Sequence, residues 1–176
     1  MNDQVQAELK KIFNGRFSTS ESTRANYARG EDTYDPVLSK AVVFPETNEE
    51  VSKILSLCNE HKIPVVPFGT GTSLEGNVVG NEKGITISLE KMNKILSVNI
   101  EDFDCRVQAC VTKEQLNEYL REDGVFFPID PGANAAIGGM ASTSDSGTMD
   151  VKYGTMKTVI TGLTVVLPNG DIINTG

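Results

Sequence analysis

The stretch Pro67-Phe68-Gly69-Thr70-Gly71-Thr72-Ser73-Leu74-Glu75-Gly76 places three glycines and three hydroxyl residues in eight positions, directly after a short apolar run at residues 63–67. A loop of this composition can turn successive backbone amides inward, and Thr or Ser hydroxyls can add further donors. Phosphate and pyrophosphate groups need that chemistry. The same composition also suits a tight surface turn, so the loop alone leaves both readings open. It is neither of the two common phosphate motifs. A triphosphate loop requires Gly-Lys-Ser/Thr after the glycines, which is missing here. The dinucleotide fingerprint requires Gly-x-Gly-x-x-Gly opening a long helix, but Gly76 falls outside that register and no helical periodicity follows it.

Outward from this loop, strand and helix patterns alternate. Residues 41–44 read as a strand stopped by Pro45. Thr47 and Glu50 have the spacing of a reciprocal capping pair, and Val51, Ile54, Leu55 and Cys58 continue at helical spacing. The run 63–67 is short and apolar enough to be a strand covered on both faces. Further strands are expected over residues 84–89, 95–98 and 106–111. A second capping pair, Thr112 and Gln115, precedes a helix that ends near Gly124. Residues 159–167 read as a strand and Pro168-Asn169-Gly170-Asp171 as a hairpin turn, in which Asn-Gly suits positive backbone angles. Residues 171–174 begin the return strand.

Two further clusters lie between these elements. Residues 130–143 read Asp-Pro-Gly-Ala-Asn-Ala-Ala-Ile-Gly-Gly-Met-Ala-Ser-Thr, and Ser146-Gly147-Thr148 is followed by Lys152-Tyr153-Gly154-Thr155-Met156. So long a stretch poor in bulky apolar side chains lets the main chain approach a flat or elongated ligand. Ile137, Met140, Tyr153 and Met156 are its expected packing anchors.

Composition excludes several classes. With 16 Lys+Arg against 24 Asp+Glu and a net charge of −8, no basic run suits a nucleic-acid backbone. A 39% hydrophobic content supports a folded core. The three cysteines, Cys58, Cys105 and Cys110, include no Cys-x-x-Cys pair, so neither a disulfide framework nor a zinc site is expected. They fit a reducing compartment, and Cys58 reads as a small buried hydrophobe. The single histidine, His61, reads as a helix-end residue rather than a metal ligand. No run reaches membrane-spanning length. Residues 1–40 read as an N-terminal amphipathic helix with Val5, Leu9, Ile12 and Phe13 on one face, followed by a polar extended arm. The expected location is cytoplasmic, with membrane contact at most peripheral.

Taken together, the segments resemble the FAD-binding domain of the family that includes vanillyl-alcohol oxidase and the D-lactate and glycolate dehydrogenases. The resemblance runs from about Ala41 to the C-terminus. It rests on residues 68–76, Asp130-Pro131-Gly132, Ile137-Gly138-Gly139-Met140, Ser146-Gly147-Thr148, Lys152-Tyr153-Gly154-Thr155-Met156 and the turn at 166–170. Asp145 and Met149-Asp150 depart from the pattern, where relatives often carry a small or uncharged residue and Asn-Ala. The resemblance implies an α+β fold of two α/β subdomains with FAD between them, the domain occupying residues 41–176 and its second subdomain incomplete. It implies that the amides of Gly69, Thr70, Gly71 and Thr72, with Ser73, hold the FAD pyrophosphate. Asp130, Pro131, Gly138 and Gly139 would line the path to the flavin ring. Ser146, Gly147, Thr148, Tyr153 and Gly154 would form the adjoining wall.

The activity implied is oxidation of a D-2-hydroxy acid, D-lactate or glycolate, to the 2-oxo acid. The metal ligands and the base of such enzymes would lie outside this chain, and no catalytic or metal-binding residue is expected within it. The chain ends just after the hairpin turn, so the expectation is a C-terminally truncated cofactor-binding part. The rival expectations are a non-catalytic FAD module that needs a separate substrate-domain polypeptide, an inactive truncated relative, and a structural domain that has lost flavin.

Overall fold

The computed structural model describes residues 3–176 and divides the chain into two compact units, Met1–Lys91 with Gly162–Gly176, and Met92–Thr161. Helix α1 (Asp3–Ile12) opens the first unit and buries Val5 and Leu9, with Phe13 fully buried just beyond it. Ile12, expected on the same face, is 43% exposed. Phe13, one turn beyond Leu9, takes the buried position at this end of the helix instead.

The segment expected to be an extended arm is partly ordered into elements. Strand β1 (Phe17–Ser18) and helix α2 (Glu21–Asn26) lie within it, and the Ser20 hydroxyl caps α2 by accepting from the Thr23 amide. Strand β2 (Val42–Val43), helix α3 (Asn48–Glu60), strand β3 (Val65–Phe68) and strand β4 (Ile85–Ser88) follow. The sheet order is β1-β2-β4-β3. The β1–β2 pair is antiparallel, and β4 runs parallel to both β2 and β3. The central strand β4 is buried throughout. By contrast β3, expected to be covered on both faces, is an edge strand with Pro67 exposed. Proline has no amide to offer a second neighbour and is tolerated at an edge. Val5, Leu9, Phe13, Val43, Ile54, Cys58, Ile85 and Ile87 form one core between the helices and this sheet.

The second unit begins with an antiparallel pair, β5 (Ile95–Asn99) and β6 (Asp104–Val107). Helix α4 (Lys113–Leu120) runs into a single 3-10 turn and ends at Gly124, whose φ of 70° closes it. Val111, Leu116 and Leu120 pack beneath it. The small-residue stretch then folds into three short helices, α5 (Ile137–Thr143), α6 (Asp150–Tyr153) and α7 (Met156–Val159). Met140 and Met156 are buried together with Ile129 and Ala135, as expected of anchors.

The chain returns to the first unit as a hairpin of β7 (Leu163–Val166) and β8 (Ile172–Thr175). Val159, expected to open β7, belongs instead to α7. The turn also differs from expectation. Gly170 has φ 92° and donates to the Leu167 carbonyl at 2.8 Å, while Leu167 donates to Asp171 at 2.8 Å. Asn169 keeps a negative φ. This is a three-residue loop with one left-handed glycine, which needs only one positive φ.

Both expected capping pairs are half made. Thr47 and Thr112 accept the amides of Glu50 and Gln115 as N-caps should. The returning side chains are engaged elsewhere. Glu50 accepts from Arg16 at 2.5 Å on both oxygens and from the Glu46 amide at 2.7 Å. Gln115 donates to the Asn93 carbonyl at 2.9 Å. A charge-assisted, two-pronged Arg–carboxylate contact outweighs one neutral amide, so Glu50 follows Arg16. His61 is the C-cap of α3, as expected.

Candidate functional site

The sequence-derived site residues fall into two groups. Gly69, Thr70, Gly71, Thr72 and Ser73 belong to the first unit; Asp130, Pro131, Gly138, Gly139, Ser146, Gly147, Thr148, Tyr153 and Gly154 belong to the second.

In the first unit the loop leaves the end of β3, and Phe68 caps the buried side of it. Gly71 has φ 76°, and a Cβ there would sit 2.7 Å from the Phe68 ring. Both constraints demand glycine. Its carbonyl accepts the Glu31 amide at 3.0 Å. The amides of Gly69, Thr70, Gly71, Thr72 and Ser73 have no acceptor among the described residues. A run of backbone donors left without partners is uncommon unless water or a ligand completes it. The Thr70 and Thr72 hydroxyls face one another at 3.4 Å, and the Ser73 hydroxyl accepts the Glu75 amide at 3.4 Å.

In the second unit the structure brings residues 130–132 and 146–148 together. A Cβ on Gly147 would overlap the backbone of Asp130, and Thr148 donates to the Asp130 carbonyl at 3.4 Å. The Asp130 carboxylate accepts from Lys113 at 2.7 Å and from the Gly132 amide at 3.0 Å. The Lys113 hydrogen bond, then that amide, hold its carboxyl below the usual range. Asp150, one of the departures from the family pattern, accepts the Gly147 amide at 2.8 Å and so stabilises this same turn.

The glycine pair at the start of α5 divides by role. Gly138 donates to the Ala109 carbonyl at 2.8 Å, and a Cβ on it would lie 2.7 Å from that of Ala109. Gly139 has open space around its missing Cβ. Ile137 donates to Val111 at 2.8 Å, so the first two amides of α5 are spent inside the protein. Gly154, at φ 80°, sits where a Cβ would overlap the Thr158 hydroxyl. Tyr153 packs edge-on against Phe126 at 5.5 Å, with the Lys152 ammonium 4.8 Å from its ring centre. The Ser146 and Thr148 side chains are exposed.

Residues 28–37, which carried no site expectation, prove to hold the first glycine loop. Only the pattern Gly30-x-Asp32-x-Tyr34, suited to an Asp-centred turn, could have pointed to it. Lys113 was also missed; nothing local to it signals a carboxylate 17 residues away. No group of three or more metal-ligating side chains occurs among the described residues, and no described helix is long and apolar enough to cross a membrane.

A flavin dinucleotide has a pyrophosphate that needs several donors and a flat ring that needs a close main-chain wall. Within the first unit the run of unpartnered amides at 69–73 fits the first need; within the second, taken by itself, Gly139 leaves its main chain open to close approach.

Comparison with known proteins agrees. Residues 39–176 match the FAD binding domain family. Over 171 residues the chain is 41% identical to the mitochondrial D-lactate dehydrogenase [cytochrome] of Arabidopsis thaliana, covering 96% of this chain and 30% of that protein. It is 35% identical over 162 residues to the glycolate oxidase subunit GlcD of Bacillus subtilis, covering 91% of this chain and 34% of that one. Among solved structures, p-cresol methylhydroxylase with substrate bound superposes with a TM-score of 0.84 at 26% identity, covering 99% of this chain and 35% of that chain. Alkyldihydroxyacetonephosphate synthase reaches 0.90 at 21% identity, covering 99% and 36%, a likeness of fold alone. The chain spans about a third of the length of the curated relatives it matches. It belongs to the FAD-binding domain family, in the vanillyl-alcohol oxidase type related to D-lactate dehydrogenases and glycolate oxidase FAD subunits, and FAD is its cofactor.

Proposed function

We propose that this chain is the FAD-holding part of an oxidoreductase that converts a D-2-hydroxy acid, D-lactate or glycolate, to the 2-oxo acid. The observation that carries the proposal is the run of unpartnered amides from Gly69 to Ser73 behind a left-handed Gly71. Its substrate class is supported by the D-lactate dehydrogenase and glycolate oxidase names of its relatives.

The five amides take the pyrophosphate, and the Thr70 and Thr72 hydroxyls add donors. In the second unit Pro131, Gly139 and the Ser146 and Thr148 hydroxyls present the ligand-facing surface. Asp130, Gly138, Gly147 and Gly154 set the backbone spacing behind it, since their amides or carboxylate are engaged internally. Tyr153, braced by Phe126, shapes the adjoining wall. When bound, FAD supplies the hydride acceptor, and the chain binds and orients it. The substrate-binding region, in the same or a separate polypeptide, supplies the hydroxy-acid contacts.

Titration of the purified chain with FAD, followed by flavin fluorescence, tests the cofactor assignment. Saturable quenching is expected, and a signal that stays linear in added FAD would refute it. When the FAD-loaded chain is completed by its substrate-binding region, D-lactate or glycolate should bleach the flavin absorbance without oxygen. A flavin bleached by no D-2-hydroxy acid would remove the substrate assignment and leave the cofactor assignment intact.

A further inference from the structure

Residues 28–37 contain none of the glycine clusters, yet they grip the first one at its base and at its tip. At the base, the Ala28 carbonyl accepts both the Val37 amide at 3.2 Å and the Gly80 amide at 3.0 Å. One carbonyl thus closes the arm loop and the glycine loop together. At the tip, the Glu31 amide donates to the Gly71 carbonyl at 3.0 Å. Gly30 lies so close that a Cβ would sit 2.7 Å from the Ser73 carbonyl and 2.8 Å from that of Gly71. The Tyr34 ring covers Gly76, where a Cβ would meet it at 2.8 Å.

Asp32 holds this tip in shape. It is 7% exposed, and no salt bridge among the described residues involves it. A carboxylate buried without a cation is costly and needs compensating hydrogen bonds. Its two oxygens accept the Gly30 amide at 3.1 Å and the Tyr34 amide at 3.0 Å, one on each side of Glu31. The Glu31 amide is therefore held in place from both flanks.

We infer that Asp32 is a positioning residue for FAD, acting through Glu31 on the pyrophosphate loop. A trans peptide is planar, with its carbonyl and the following amide pointing in opposite directions. Pinning the Gly71 carbonyl to the Glu31 amide turns the Thr72 amide, itself unpartnered, away from Glu31. Releasing that carbonyl lets the 71–72 peptide rotate, and the Thr72 amide loses its fixed direction. The inference rests on the assignment of residues 69–73 to the FAD pyrophosphate.

The full chain with Asp32→Ala, Asp32→Asn or Gly30→Ala tests it. Two readouts apply: FAD titration by fluorescence, and the shifts FAD induces in the amide resonances of residues 69–73 in the 15N-labelled chain. Asparagine retains one acceptor oxygen, so the dissociation constant should rise in the order wild type, Asn, Ala. The alanine variant should bind about tenfold more weakly, equivalent to one lost hydrogen bond to a charged group. The FAD-induced shifts at Gly71 and Thr72 should shrink in the same order. Gly30→Ala should weaken FAD binding as well, by displacing the Gly71 and Ser73 carbonyls. Should Asp32→Ala fail to fold, the Asn and Gly30→Ala variants carry the test. Folded variants with unchanged affinity and unchanged shifts overturn the role of Asp32 while the FAD assignment stands. A wild-type chain that does not bind FAD overturns both.

Discussion

Gly138 donates its amide to the Ala109 carbonyl at 2.8 Å, and its Cα lies so near that an added Cβ would stand 2.7 Å from the Ala109 Cβ and 2.8 Å from that carbonyl. Its neighbour Gly139 has nothing within 4 Å of the same position. Two adjacent glycines on one short helix therefore answer to opposite demands: one to packing, the other to an open surface.

Opposite substitution effects follow. Gly138→Ala should destabilise the chain by about 1–3 kcal/mol, because the backbone of residue 109 cannot yield as a flexible side chain would. Gly139→Ala should leave stability unchanged or raise it by up to about 1 kcal/mol through helix propensity. It should nevertheless weaken FAD binding, since the new methyl occupies the proposed ligand side. Thermal unfolding with and without FAD separates the two.

Gly71 combines a φ of 76° with the Phe68 ring 2.7 Å from any Cβ. Gly71→Ala should cost about 1–3 kcal/mol in backbone strain and contact. FAD affinity should fall at least tenfold, since the strain turns amides away from the pyrophosphate. A variant that binds FAD as wild type does would remove the loop from the site. Phe68→Leu combined with Gly71→Ala relieves the ring overlap but not the strain, so it should recover only part of the stability.

The Arg16–Glu50 pair ties the segment after α1 to the start of α3. The Arg16 hydrogen bond outweighs the opposing effect of burial and, with a lesser contribution from the Glu46 amide, places the Glu50 carboxyl below its usual value. The folded value lies below the unfolded one. Its stabilisation is therefore complete above the ordinary carboxylate range and is lost as pH falls through the depressed folded value. Glu50→Gln should cost about 1–2 kcal/mol near neutral pH, with the difference from wild type narrowing in acid. Urea unfolding at pH 7 and pH 3 measures it.

Burial pushes the Cys58 thiol up to about 11. Cys58 and Cys110 are buried, whereas Cys105 is exposed on β6. A thiol reagent at pH 8 should modify Cys105 in the folded chain, and the other two only after unfolding. The Cys105 reaction should run slower than that of free cysteine, because partial desolvation and then the Asp104 carboxylate raise its pKa. Mass spectrometry of the modified peptides identifies the site.

Much of the architecture was legible in residue order because its causes are local. Thr47 and Thr112 cap helices through amides three residues ahead, Gly124 closes α4 with its own backbone, and Gly170 turns the hairpin. Three short helices at 137–159 were not legible. Seven- and four-residue helices have too few turns to show a period, and Gly138-Gly139 argues locally against helix. The first and last of them persist because Met140 and Met156 are buried against Ile129 and Ala135.

The loop from Gly69 to Gly76 was marked by the sequence alone, since only a crowded set of small residues permits a left-handed Gly71 and a run of unpartnered amides. The tertiary structure decided how that loop is held, which glycine of the pair at 138 and 139 is packed, and where the Glu50 and Gln115 side chains turn. Each of those outcomes depends on a partner distant in sequence, Glu31 for Gly71, Ala109 for Gly138, Arg16 for Glu50 and Asn93 for Gln115. A residue's own neighbours carry no information about such a partner, because the contact exists only once the chain has closed upon itself.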